Sequence, residues 1–301
     1  MEIWSAERYQ RVSNVTRRRK GALFSHACLG YTAAMNRTGL YIALSLALIF
    51  GLLFGLYPEL DLKLAAFFYD AATKTFPLKS VTWAMIARDA AMWIAWALVA
   101  PALVTLMVKL FRPVKPLMMS GRAMVFLVVT MLLSAIVISN IVFKGYWGRP
   151  RPVVVTQFDG KLEFKPWWDP RGACTRNCSF FSGEGATAFW TYAPAALAPP
   201  QWRPLAYTAA TLFGVFTGGL RMAFGGHFFT DVVFSGVAAF LVVWLFFALI
   251  YRWPSTRLTD ADVDAALTRF AWPGYRWLQK RLGRDVGDSP RVRPNADILR
   301  P

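Results

Sequence analysis

The chain has 301 residues, 56% of them hydrophobic, with 13 Trp, 24 Phe and a formal net charge of +17. Several uncharged runs reach bilayer-crossing length, which marks a polytopic membrane protein and excludes an ordinary soluble domain. The bases lie beside these runs, where they set topology and meet anionic headgroups; that placement argues against nucleic acid as a partner.

Residues 1–37 carry Arg8, Arg11, Arg17, Arg18, Arg19, Lys20 and Arg37 and read as a cytoplasmic basic tail, with His26 and Cys28 incidental. Six spans are expected within residues 38–251, at about 38–57, 90–108, 123–143, 185–200, 205–220 and 232–251. The first acts as an uncleaved anchor. The segment from Pro58 to Asp70 is too short and too charged to cross, and is predicted as an interfacial amphipathic helix. Lys109, Arg112, Lys115 and Arg122 make a short basic cytoplasmic loop. Pro194 is predicted to kink the fourth span. Residues 252–301 form a second basic cytoplasmic tail, bearing Trp272, Tyr275, Trp277, Lys280, Arg281 and Arg284, with a disordered end.

The fold class is therefore all-α, a six-transmembrane-helix bundle with both ends inside and no second domain. Segments 58–89, 144–184 and 221–231 fall on the outer side. The outer loop 144–184 is itself basic, with Lys144, Arg149, Arg151, Lys161, Lys165, Arg171 and Arg176. Bases kept outside break the positive-inside rule, and binding an anion is the simplest reason for them.

Three stretches carry candidate chemistry. In the first, Arg221 precedes His227 by six residues and Asp231 follows it by four. If the chain is helical from Phe228, His227 and Asp231 share a face; the carboxylate accepts from one ring nitrogen and the other is free to attack an electrophile. Arg221 supplies a planar fork suited to phosphate oxygens. Taken alone, the stretch reads equally well as a membrane-edge histidine beside an acid. In the second, Lys144 and Arg151 flank six residues that include Gly145 and Gly148, while Pro150 and Pro152 stiffen the backbone. In the third, Ser182, Gly183 and Glu184 open a helix, where free amides favour an anion. Ser182 also suits an N-cap there, and Glu184 the helix dipole.

In this order the stretches resemble the type 2 phosphatidic acid phosphatase family, integral membrane enzymes that remove phosphate from lipids. Lys144, Arg151 and Pro152 match its first motif, Ser182 and Gly183 the middle of its second, and Arg221, His227 and Asp231 its third. Phe181, Leu220 and Glu184 depart from it, standing where the family has proline, serine and histidine. The resemblance implies that Lys144, Arg151, Ser182, Gly183 and Arg221 hold phosphate. It further implies that His227 attacks phosphorus, that Asp231 orients it, and that neither cofactor nor metal takes part. The family's second-motif histidine protonates the leaving oxygen, so Glu184 is the candidate acid; burial raises a carboxyl pKa and nearby cations lower it.

The segment from Arg176 to Glu184 resembles the subgroup that includes bacterial lipid A 4'-phosphatases. Phosphatidylglycerophosphate and undecaprenyl pyrophosphate stay open as substrates, as does a non-catalytic lipid-phosphate binder. The expected setting is the bacterial inner membrane with the site facing the periplasm. Trp167 and Trp168 are candidate headgroup contacts. Cys174 and Cys178 suit a local disulfide in an oxidising compartment; zinc is the rival reading, without further ligands nearby.

Overall fold

A computed structural model describes residues 37–284, 286 and 287. The predictions about His26, Cys28 and the last dozen residues lie outside the described residues. Contacts divide the chain between Ser45 and Leu46. The described part of the first unit, residues 37–45, is helical, and the site described below lies wholly in the second.

Among the described residues the fold is all helical, with two isolated bridges and no extended strand. Four helices are long and apolar enough to cross a membrane: α1 (Arg37–Leu56), α3 (Thr82–Phe111), α4 (Gly121–Tyr146) and α8 (Phe229–Arg252). The short α2 (Glu59–Ala66) lies between α1 and α3. Many large apolar side chains on α3, including Trp93, Ile94 and Leu98, point away from the protein, as lipid-facing residues do.

The helix α3 starts eight residues before the predicted second span. At 30 residues it is about 45 Å long, against a hydrocarbon core of about 30 Å. Its ends therefore have room for charge. Arg88 lies in its first turns and Lys109 in its last.

The predicted fourth span is broken. Helix α5 (Gly183–Phe189) stops at Trp190, and α6 (Tyr192–Leu197) begins after one turn. Pro194 explains the break: its ring collides with the carbonyl four residues back, that of Trp190, and it has no N–H to offer. Helix α7 (Arg203–Ala223) follows, and α9 (Asp260–Arg281) ends the described fold. Residues 252–301, predicted as a tail, contain α9, which has a full capping box, Thr259 with Asp262. Its Val263 packs against Gly121 at the start of α4.

The core lies between α4, α5, α7 and α8. Trp190 is fully buried there and donates from Nε1 to Thr130 Oγ1 at 2.9 Å. The Phe189 ring fills the space that side chains at Gly214 and Gly236 would need, which lets α5 sit close to α7 and α8. The long loop folds over one end of this core. Ala65, Phe76, Val155, Phe158 and Phe228 form a small apolar cluster beneath it, and so tie α2, the loop and the start of α8 together.

Candidate active site

The link between α7 and α8 carries His227. Gly225 has a φ of +62, and an added Cβ would lie 2.6 Å from the Phe76 ring. A Cβ on Gly226 would lie 2.6 Å from Nη2 of Arg221. Two glycines thus let the chain turn tightly while the Arg221 head group passes beside its backbone.

The His227 ring is buried, 1% exposed. Its Nδ1 lies 2.7 Å from the backbone carbonyl of Ser179, and 3.6 Å from Oδ2 of Asp231. A carbonyl only accepts, so Nδ1 carries the proton and Nε2 keeps its lone pair. The predicted bond from the ring to Asp231 is in this geometry a longer, electrostatic contact. Asp231 spends its oxygens elsewhere: the Phe228 amide at 2.7 Å, the Ser179 hydroxyl, and Nη1 of Arg149 at 2.5 Å. Burial pushes the His227 pKa down to about 4, and Arg221 and Arg151 push the same way against Asp231. The imidazole is neutral at physiological pH, as a nucleophile must be.

Behind this pair stands Arg149, fully buried. It donates to Asp231 and to Thr230 Oγ1 (2.8 Å) from Nη1, to Asp61 (2.7 Å) from Nη2, and to the Lys165 carbonyl (3.0 Å) from Nε. Asp61 in turn accepts from the Thr230 amide and hydroxyl at 3.1 and 2.6 Å. The Arg149 guanidinium also lies 4.5 Å from the Phe228 ring centroid. One planar fork thereby joins α2, the long loop and the first turn of α8.

Ser182 caps α5, accepting from the Gly185 amide at 3.0 Å, while its own amide donates to the Asp231 carbonyl at 3.2 Å. This last bond ties the second and third motifs together. Glu184, the next residue but one, is gripped by Arg88: Nη2 reaches Oε1 at 2.7 Å and Nε reaches Oε2 at 2.9 Å. Arg221 Nε lies 3.4 Å from the same carboxylate. Arg151 is aimed by Asn177, donating to its backbone carbonyl at 2.9 Å and its side-chain oxygen at 2.5 Å. Among the described residues Lys144, at the end of α4, makes no ion pair, although it lies close enough to Arg151, Arg221, Glu184 and Asp231 to feel their charges. Cys174 and Cys178 are joined, with Cα atoms 5.7 Å apart, just before this segment.

The structure thus gathers Lys144, Arg151, Ser182, Gly183, Glu184, Arg221, His227 and Asp231 at one end of the bundle. Trp167 turns inward against Phe234, with ring centroids 4.5 Å apart, while Trp168 is half exposed. Sequence reasoning missed Asp61, Arg88, Ser179 and the role of Arg149. One signal was present: Asp61 shares with Ala65, one turn on, the buried face of α2.

A cluster of cations around a backbone-oriented histidine at the end of a helical bundle suits the binding of a phosphate group. Residues 123–255 match the PAP2 superfamily, and the chain belongs to that family. It is a lipid phosphatase. The lipid A 4'-phosphatase of Francisella tularensis subsp. novicida is 32% identical over 225 residues, covering 72% of this chain and 98% of that protein. A lipid A 4'-phosphatase of Rhizobium leguminosarum is 34% identical over 113 residues, 38% of this chain and 48% of its own. That of Rhizobium etli is 32% identical over 112 residues, covering 37% and 44% respectively. No solved structure matches the chain.

Proposed function

We propose that the protein removes a phosphate from a lipid A-type lipid at the outer face of the bacterial inner membrane, through a phosphohistidine at His227. The observation that carries this reading is the bond from His227 Nδ1 to the Ser179 carbonyl, which leaves Nε2 as a free nucleophile among cations. The lipid A 4'-phosphatase of Francisella, 98% of whose length aligns here, supports that substrate class.

Lys144, Arg151 and Arg221, with the Ser182 and Gly183 end of α5, hold the phosphate and balance its charge. Nε2 attacks phosphorus in line and the bond to the lipid oxygen breaks. The Ser179 carbonyl and nearby Asp231 steady the ring as it becomes cationic. Water then attacks phosphorus, the P–N bond breaks, and His227 returns to its neutral form. No metal is required in this sequence.

The six-span topology belongs to the same proposal. Segment 183–197 and α7 supply two crossings beside the four long helices, and the basic α3–α4 loop faces the cytoplasm. The domain layout goes with it: a basic tail (1–37), the phosphatase bundle (38–251) and a second basic tail (252–301).

The test is phosphate release by purified protein from lipid A, phosphatidylglycerophosphate, phosphatidic acid and undecaprenyl pyrophosphate, with chelator present. Release from lipid A, abolished by His227→Ala, is expected. Turnover that survives in the variant would sink the mechanism. Silence across the panel would favour a non-catalytic lipid-phosphate binder.

A further inference from the structure

We infer that Arg88 is a catalytic residue that stabilises the leaving oxygen, and that Glu184 is the positioning residue that aims it. This rests on the histidine mechanism proposed above. An ion-paired carboxylate with both oxygens held by one guanidinium, and a second guanidinium 3.4 Å away, is a poor proton donor. Glu184 is therefore not the acid. Its geometry is that of a fork–fork clamp, which fixes the plane and direction of the Arg88 head group.

The direction of attack says where that head group acts. His227 is buried, so a lipid that brings its phosphate to Nε2 keeps its body on the more exposed side of the site, its mouth. In-line displacement sets the leaving oxygen opposite Nε2, toward the mouth. Of the two arginines on Glu184, Arg88 is the more open: its side chain is 38% exposed, against 10% for Arg221. It is also close enough to Arg221 and Arg151 to feel their charges, so it borders the phosphate cluster. Nε and Nη2 are taken up by Glu184, while Nη1 has only a 3.4 Å contact to Asp89. Nη1 is the donor left for a developing oxyanion.

The Nε2–P bond forms as the P–O bond to the lipid breaks, and the oxygen departs as an alkoxide hydrogen-bonded to Arg88. It takes a proton from a water molecule. The hydroxide so formed attacks the phosphohistidine and releases phosphate. One water is consumed and no other acid is needed.

Stabilisation of an oxyanion matters most when the leaving oxygen is a poor leaving group. Purified full-length protein would be assayed in detergent with dodecyl phosphate and with 4-nitrophenyl phosphate, a good leaving group. Arg88→Gln is expected to lower turnover of the alkyl ester about 100-fold and that of the aryl ester less than about tenfold. Glu184→His placed in the Arg88→Gln background is expected to restore alkyl turnover with a new pH limb, because an imidazolium can protonate the oxygen. Equal losses on both esters, or no loss, would overturn the inference. Should Arg88→Gln fail to fold, Arg88→Lys keeps the charge without the fork, and the same ratio decides. His227→Ala runs alongside: turnover retained there means that the underlying mechanism has failed, and not this role alone.

Discussion

Helix α3 separates two buried cations that do different work. Near its start the site is built on Arg149, while its last turn holds Lys109, about 30 Å from Arg88 along the helix. Arg149 spends its planar fork on two buried carboxylates, a hydroxyl and a carbonyl from three separate places in the chain. Lys109 is nearly as buried, but its ammonium reaches the Pro113 and Lys115 carbonyls at 2.7 and 3.0 Å and Asp264 at 2.8 Å. Asp264 is itself 30% exposed. The lysine is a flexible point charge that closes a helix end and docks α9. The arginine sets angles, and angles are what a nucleophile needs.

The largest effect should come from Arg149→Met. It leaves Asp61 and Asp231 buried without their partner, which costs about 3–5 kcal/mol, and turnover should fall in the fraction that folds. Arg149→Lys should restore much of the thermal midpoint and little of kcat, measured together in detergent. Full kcat in Arg149→Lys would erase the contrast drawn here. Lys109→Met should cost less, about 1–3 kcal/mol for the two carbonyls left unpaired, with kcat unchanged. A drop in kcat would show that the far end does reach the chemistry.

The pH dependence sharpens the comparison on the catalytic side. Folded His227 takes up its proton only near pH 4, and the unfolded chain near 6.5. The unfolded state binds more protons between these values, so stability is full above pH 6.5 and is lost as the pH falls toward 4. The thermal midpoint of the wild type should fall more steeply over that window than that of His227→Asn. Parallel curves would mean that the ring is not buried as a neutral group. Ser179→Ala should have the smallest effect: it deletes the hydroxyl bond to Asp231, at a cost of about 1 kcal/mol, and keeps the carbonyl that holds Nδ1. A loss of turnover comparable to that of His227→Ala would contradict that division of roles.

The sequence made some of this legible and hid the rest for physical reasons. His227, Asp231 and Arg221 lie within eleven residues, so their spacing on one helix entrance was readable. Ser182 as an N-cap was readable for the same local reason. Asp61 and Arg88 join the site from segments 88 and 96 residues distant from their partners, Arg149 and Glu184, and nothing local announces such pairings. The span predicted from residue 90 leaves Arg88 outside it. Helix α3 is simply longer than the bilayer core, and its first turns hold Arg88 where Glu184 meets it. The break after α5 was half visible: Pro194 signalled a bend, but not that the helix would stop at Phe189 and restart at Tyr192.

The peptide oxygen of Ser179 also has a genetic consequence. No substitution can delete a main-chain carbonyl, so the feature that sets the histidine's tautomer is invisible to any scan of side chains. What mutation can reach is the path of the loop that presents it: the Asn177 turn, the joined cysteines and the aromatic packing of Phe180. Inheritance of this activity is thus inheritance of a backbone trajectory, and loss of function can arise at residues that never meet the phosphate.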